Sequence, residues 1–200
     1  AFLSLSDMGK ALPSYEEIPI ACEMTEAVET EYKRIEHKLV QVLRTDRRAA
    51  KKILSAYLNL LTVYPDQPYD QKEQRTLEIV RAAIQNGERA LIYTSWVRTD
   101  SQQKLKKLLA DEGYRAEILT DKIKTTDRED WVRKKLAAGM QVLIVNPSLV
   151  ETGLDLNAFT TLVFYSMGYK LFTLRQASRR KRPQSRSICS TTRTPCSRNV

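Results

Sequence analysis

Val142-Leu-Ile-Val-Asn-Pro-Ser-Leu-Val-Glu-Thr-Gly-Leu-Asp-Leu156 decides how this chain is read. Val142 to Val145 run without polar alternation, as expected of a strand buried on both faces, and Asn146-Pro147 ends the run abruptly. Ligands of open parallel sheets bind beyond the carboxyl ends of the strands, so Asn146, Ser148, Thr152, Gly153 and Asp155 are candidates for a site. Hydroxyls and backbone amides in such a loop suit phosphate oxygens. Taken singly, each of these residues also has a local structural use: Asn146-Pro147 as a turn, Gly153 as a helix terminator and Asp155 as a cap.

Outward from this stretch, one pattern recurs: an amphipathic helix, a glycine, then an apolar strand. Leu77, Val80 and Ile84 lead to Gly87 and Ala90–Tyr93; Leu105, Leu108 and Leu109 lead to Gly113 and Ala116–Leu119; Val132 and Leu136 lead to Gly139 and Val142–Val145. Helices alternating with buried strands predict an α/β fold with parallel pairing and right-handed crossovers. Each glycine is expected at a left-handed helix terminus, and Thr99 with Gln102 and Thr126 with Glu129 read as capping boxes. A strand at Thr161–Tyr165 and a helix over 170–180 extend the pattern. Parallel strands end on one sheet edge, so Thr94, Ser95, Thr120, Asn146 and Ser148 should form a polar rim, each also able to cap a helix. Lys122 and Lys124 could reach a ligand there or be solvated loop lysines, and Trp96 could stack on a base or pack.

The first part of the chain reads differently. Ile18, Ile20, Cys22 and Met24 alternate as in a half-buried strand, which Pro19 confines to a sheet edge. Thr25 caps a helix with Val28, Tyr32, Ile35, Leu39 and Val42 on one face, and Asp46 a second with Ala50, Ile53, Leu54, Tyr57, Leu58 and Leu61. The expected division is a strand and helical hairpin over 1–66, an α/β lobe over 67–180 and a tail over 181–200, with the linker near Tyr64–Asp70.

Composition narrows the function classes. The 200 residues carry a net charge of +9, but the eight basic residues between Arg175 and Arg198 stand without an acid. The rest of the chain holds 25 basic and 24 acidic residues, so the folded part has no basic excess to attract a polyanion. Cys22, Cys189, Cys196 and the single His37 lack metal-ligand spacing, which predicts neither a metal nor a disulfide. No apolar stretch is long enough to span a bilayer and the first residues lack the order of a secretory signal, so the expected location is cytoplasmic with no membrane partner.

With these elements placed, residues 72–180 resemble the second RecA-like lobe of superfamily 2 helicases, especially the Swi/Snf-like DNA translocases. Ala90-Leu-Ile-Tyr-Thr-Ser-Trp96 is similar to the family's motif IV, Asn146–Leu156 to motif V, and Gln176-Ala-Ser-Arg-Arg180 to the start of motif VI, in the family's order. The resemblance implies that Thr94, Ser95, Thr152 and Gly153 touch nucleic-acid phosphates, and Thr120 joins them as a rim residue at the end of its strand. It implies too that Asp155, Gln176 and Arg180 face ATP, with Arg180 in a partial catalytic motif. Gln176 and Arg180 share a helix face at their spacing of four. The implied partners are DNA, with RNA an alternative, and a first RecA-like lobe from a longer parent chain.

The chain departs from the family in two ways. It has no P-loop ending in Gly-Lys-Ser/Thr and no acidic metal-binding motif, both of which the family carries in its first lobe, so ATP with Mg2+ is expected only together with that lobe. The family's motif VI also continues to a further arginine where this chain has Pro183, and loss of such a finger costs roughly 10³ or more in turnover in other NTPases. The chain alone is therefore expected to be inactive, either a detached motor lobe or a non-catalytic nucleic-acid or protein interaction module. After Arg180 the composition turns to Arg, Ser, Thr, Pro and Cys, with Ile188 and Val200 the sole aliphatic residues, which predicts disorder over 181–200. Codons can be chosen for Lys181–Asn199 that encode A-A-A-V-K-I-D-M-F-Y-Y-K-D-S-M-Q-S-E when read from the third base of Lys181. The tail therefore reads as a shifted frame or as an authentic basic extension.

Overall fold

A computed structural model describes residues 15–45, 54–56, 60, 70–95, 100–150, 154–166 and 185–193. In chain order the elements are β1 (Tyr15–Glu23), α1 (Glu26–Thr45), α2 (Asp70–Gln85), β2 (Ala90–Thr94), α3 (Ser101–Asp111), β3 (Ala116–Leu119), α4 (Arg128–Ala137), β4 (Val142–Val145), β5 (Thr161–Ser166) and β6 (Ser185–Arg193). Short 3-10 turns at Thr125–Asp127 and Pro147–Leu149 precede α4 and follow β4. One six-stranded sheet runs β1-β6-β5-β2-β4-β3, and every pairing is parallel.

The unbroken apolar runs are explained by cover on both faces. Leu91, Tyr93, Leu143, Val145, Leu162 and Phe164 pack on one side with Val132 of α4 and with Leu154, Leu156 and Phe159. Ala90, Ile92, Val142, Ile144, Val163 and Tyr165 pack on the other with Val80 of α2 and Leu105 and Leu109 of α3. Between β2 and β3 the chain passes over β4 and then returns to it, so right-handed crossovers require α3 and α4 on opposite faces. Full burial of Leu91, Ile92, Leu143 and Ile144 contributes about 1.5–3 kcal/mol each, which makes the central strands the stable heart of the sheet.

Gly87, Gly113 and Gly139 take φ of 75°, 84° and 90° just past α2, α3 and α4, the left-handed conformation expected of them. At Gly139 space is also short, since a Cβ would lie 2.5 Å from the Arg115 guanidinium. The Thr126–Glu129 capping box does not form, and Thr99 of the other lies outside the described residues. α3 begins after Asp100 with no side-chain cap, because Gln102 turns inward to donate to the buried Thr94 hydroxyl at 2.7 Å. Ahead of α4, Thr126 donates to Asp127 at 2.9 Å, and α4 likewise has no side-chain cap.

Two features of the sheet differ from the sequence reading. β1, assigned with the hairpin to residues 1–66, is an edge strand of the lobe's own sheet, and its Glu23 amide donates to the Gln71 side chain at the start of α2 at 3.0 Å. Within the tail expected to be disordered, residues 185–193 form β6 between β1 and β5. Neighbouring strands offer backbone partners on both sides, and a ladder needs no apolar side chain and no more than the absence of proline. α1 buries Ile35 and Leu39 on the expected face, with Val28, Tyr32 and Val42 partly covered. Of the second helix of the hairpin, 54–56 and 60 are described, and they are helical; the linker over 64–69 lies outside the described residues.

Candidate nucleic-acid interface

The carboxyl ends of β3 and β4 and the start of α3 form a cleft of about 250 Å³ lined by Gln102, Leu119, Thr120, Asp121, Asn146, Ser148 and Leu149. Its construction begins at β4, where Asn146 accepts from the Ser148 amide at 3.0 Å and from the Ser148 hydroxyl at 2.8 Å. Its Nδ2 donates to the Ser95 carbonyl at 3.3 Å, which ties the end of β4 to the end of β2. Ser95 in turn donates its amide to the Ser166 hydroxyl at 2.8 Å and its own hydroxyl to the Ser166 carbonyl at 3.0 Å. A chain of short polar side chains thus joins the ends of three adjacent strands, β5, β2 and β4.

The predicted residues divide by their surroundings. Thr120 lines the cleft and Ser95 is partly buried beside it, whereas Thr94 is wholly buried with its hydroxyl engaged by Gln102. In this arrangement Thr94 supports the rim from below and does not meet solvent. Asp155 is exposed and its Oδ1 accepts from the Asn157 amide at 3.0 Å, a local turn. Lys122 and Lys124 are exposed on the loop that leaves β3, with the cleft-lining Asp121 beside them as an opposing charge. Trp96, Thr152, Gly153, Gln176 and Arg180 lie outside the described residues.

Sequence reading missed the residue that holds the cleft walls together. Arg128, 9% exposed at the start of α4, donates from Nε to the Ile123 carbonyl at 3.2 Å and from Nη1 to the Leu149 carbonyl at 2.8 Å. One planar guanidinium thereby pins the loop after β3 to the turn after β4, a geometry that lysine cannot reproduce. The available signal was an arginine in the first turn of a helix, where a cation is unfavourable against the dipole unless something else holds it. Lys72 was missed as well: it is 3% exposed, with its ammonium 4.5 Å from the Tyr165 ring centroid near the end of β5.

On the opposite side of β3, Glu117 receives Lys106 of α3 at 2.8 Å and Lys135 of α4 at 2.5 Å. Burial pushes its carboxyl upward, but the hydrogen bonds and charges of the two lysines together outweigh burial and hold it below the ordinary value of 4.5. This bridge joins helices on opposite faces across the sheet's free edge. Burial raises the Cys22 thiol, with Lys72 and Arg75 pulling against it. Among the described residues no group of three or more His, Cys, Asp or Glu is placed to hold a metal ion, and no helix is long and apolar enough to cross a membrane.

A parallel sheet covered on both faces, with a polar cleft at its carboxyl edge, defines a RecA-like lobe. Residues 71–182 match the helicase conserved C-terminal domain, and the chain belongs to that family. No curated protein matches the chain. Among solved structures it is similar to the Sulfolobus solfataricus SWI2/SNF2 ATPase core in complex with dsDNA, with a TM-score of 0.72 and 18% identity over 92% of this chain. It spans 42% of that core. The separate C-terminal domain of a Sulfolobus solfataricus SWI2/SNF2 ATPase gives a TM-score of 0.69 at 15% identity, covering 90% of this chain and 80% of the domain. The C-terminal part of the Fun30 ATPase domain gives 0.65 at 12%, covering 91% and 86%. The chain thus shares the fold of these SWI2/SNF2 and Fun30 ATPase C-terminal structures.

Proposed function

We propose that the chain is the C-terminal motor lobe of an ATP-dependent DNA translocase, contributing nucleic-acid contacts and part of the ATP site, and that it does not hydrolyse ATP alone. The observation that carries this reading is the cleft at the ends of β3 and β4, where the Thr120 and Ser148 positions open beside the Ser95–Ser166–Asn146 chain of hydrogen bonds. Hydroxyls and turn amides on a rigid strand edge can hold phosphate oxygens without reading bases, as movement along a duplex requires. Thr152 and Gly153 follow Ser148 in sequence and are assigned the same kind of contact in this reading, with Thr94 fixing the rim through Gln102. The dsDNA complex of the Sulfolobus relative supports DNA as the polymer.

ATP with Mg2+ belongs to the assembled enzyme in this reading. Of the three nucleotide-facing candidates Asp155 alone is described, exposed and held in its turn by Asn157, while Gln176 and Arg180 complete the set in sequence. The sequence holds no loop ending in Gly-Lys-Ser/Thr, so in this reading a first lobe supplies the phosphate cradle and the metal ligands. Pro183, at the position of the family's finger arginine, favours a second reading, a non-catalytic nucleic-acid or protein interaction module.

Mixing the chain with a separately expressed first lobe distinguishes the two. DNA-stimulated phosphate release on mixing supports the motor lobe, and DNA binding without hydrolysis supports the module. Release by the chain alone after rigorous purification would overturn the inactivity of the isolated lobe.

A further inference from the structure

The position between β1 and β5 is an interior one, paired on both sides. Ser187 lies between Glu17 and Leu162, Ile188 between Ile18 and Val163, and Cys189 between Pro19 and Phe164. The β5 partners Leu162, Val163 and Phe164 are 2%, 0% and 6% exposed, and a strand in such a position reads as an apolar run in β2, β4 and β5 alike. β6 reads Ser-Arg-Ser-Ile-Cys-Ser-Thr-Thr-Arg. Its backbone satisfies the ladder while its composition contradicts the site.

The genetic code resolves the contradiction. A TCN serine codon whose first two bases become the last two of a new codon yields TTC, CTC, ATC or GTC. The new residue is Phe, Leu, Ile or Val whatever base precedes it. The Ile188–Cys189 junction read the same way yields Leu or Met for every isoleucine codon, and threonine yields Tyr, His, Asn or Asp. With TCN serines, the residues at positions 185, 187, 189 and 190 therefore become apolar without any choice of wobble base. In the frame that starts on the third base of Lys181, the segment falling on 185–193 can read V-K-I-D-M-F-Y-Y-K, and it coincides with the span of β6. Its Ile and Met fall at the register positions of Ser187 and Cys189, beside Leu162 and Phe164.

We infer that the position between β1 and β5 is an acceptor site for an apolar parallel strand, and that Ser185–Arg193 are that strand's coding bases translated one base out of frame. The present occupant pairs with both neighbours by its main chain, and its sequence offers a single aliphatic residue, Ile188. The inference is independent of the motor reading, since it concerns the sheet and not the cleft.

Two measurements test it. In the gene, Ser185, Ser187 and Ser190 are expected to be TCN codons; AGC or AGT at Ser187 gives a stop, Gln, Lys or Glu in the other frame and overturns the inference. In the protein, the full chain is compared with a version whose residues after Arg180 are A-A-A-V-K-I-D-M-F-Y-Y-K-D-S-M-Q-S-E. The reframed chain is expected to unfold roughly 5 °C or more higher, and an equal or lower midpoint overturns the acceptor site. If that version does not express as a folded protein, the peptide V-K-I-D-M-F-Y-Y-K is added to the unaltered chain and amide exchange is followed at Leu162–Phe164. Slower exchange supports the site, and unchanged exchange at saturating peptide overturns it.

Discussion

Replacing Arg128 by Met keeps an apolar stem in the space and removes both bonds that join the cleft walls. Each is a charged donor to a carbonyl, and such hydrogen bonds contribute about 1.5–3 kcal/mol. The bond to Ile123 is long at 3.2 Å and water can replace part of what is lost at this boundary, so the lower part of the range applies, about 3–4 kcal/mol in total. For a chain of this size that corresponds to a fall in unfolding midpoint of roughly 5–15 °C. Arg128→Lys keeps the charge but has one compact donor for two separated carbonyls, and should lose about half as much. Thermal unfolding by circular dichroism gives the midpoints, and amide exchange should quicken over 120–127 and 147–150 before it quickens in β2 or β4. A methionine variant melting within 2 °C of the parent, or a lysine variant equal to the parent, would refute the clasp.

Glu117→Gln should show a pH-dependent cost. Because the folded carboxyl titrates below 4.5, its ion pairs stabilise the fold above that pH and the benefit is lost as pH falls through the folded value. The variant should therefore melt lower than the parent at pH 7 and converge with it as pH falls through that value; a difference that stays constant from neutral pH down to acid would reject the ion-pair account. Gly139→Ala should cost about 1–2 kcal/mol from its left-handed φ, and more than Gly87→Ala, whose site has nothing within 4 Å of a new Cβ, as denaturant midpoints would report. Asn146→Ala removes the side-chain bond between the ends of β4 and β2 and should weaken DNA binding several-fold without moving the global midpoint by more than a few degrees; unchanged affinity in filter or anisotropy titrations would separate the cleft from nucleic acid. Binding by the full chain should fall with salt on a shallow slope set by a few phosphate contacts, and a slope near that of the eight tail cations would place the contacts in the tail instead.

Periodicity alone determined the parallel α/β lobe, because side chains buried on both faces leave an unbroken apolar run at Ala90–Tyr93 and Val142–Val145 that few other structures produce. The three left-handed glycines and the gathering of Ser95, Thr120, Asn146 and Ser148 at one edge were legible for a related reason, since parallel strands all end on the same side. What the side chains do at that edge was decided by tertiary structure. Gln102 could serve its own helix start or Thr94, and the buried hydroxyl won because a polar group away from water must find a partner. Arg128 had no sequence signal for its carbonyl partners, which lie 5 and 21 residues away on two loops. β6 is the sharpest case: composition forecast disorder over 181–200, yet strand pairing is a property of the backbone, and the open position between β1 and β5 recruits residues whose side chains give no reason to be there.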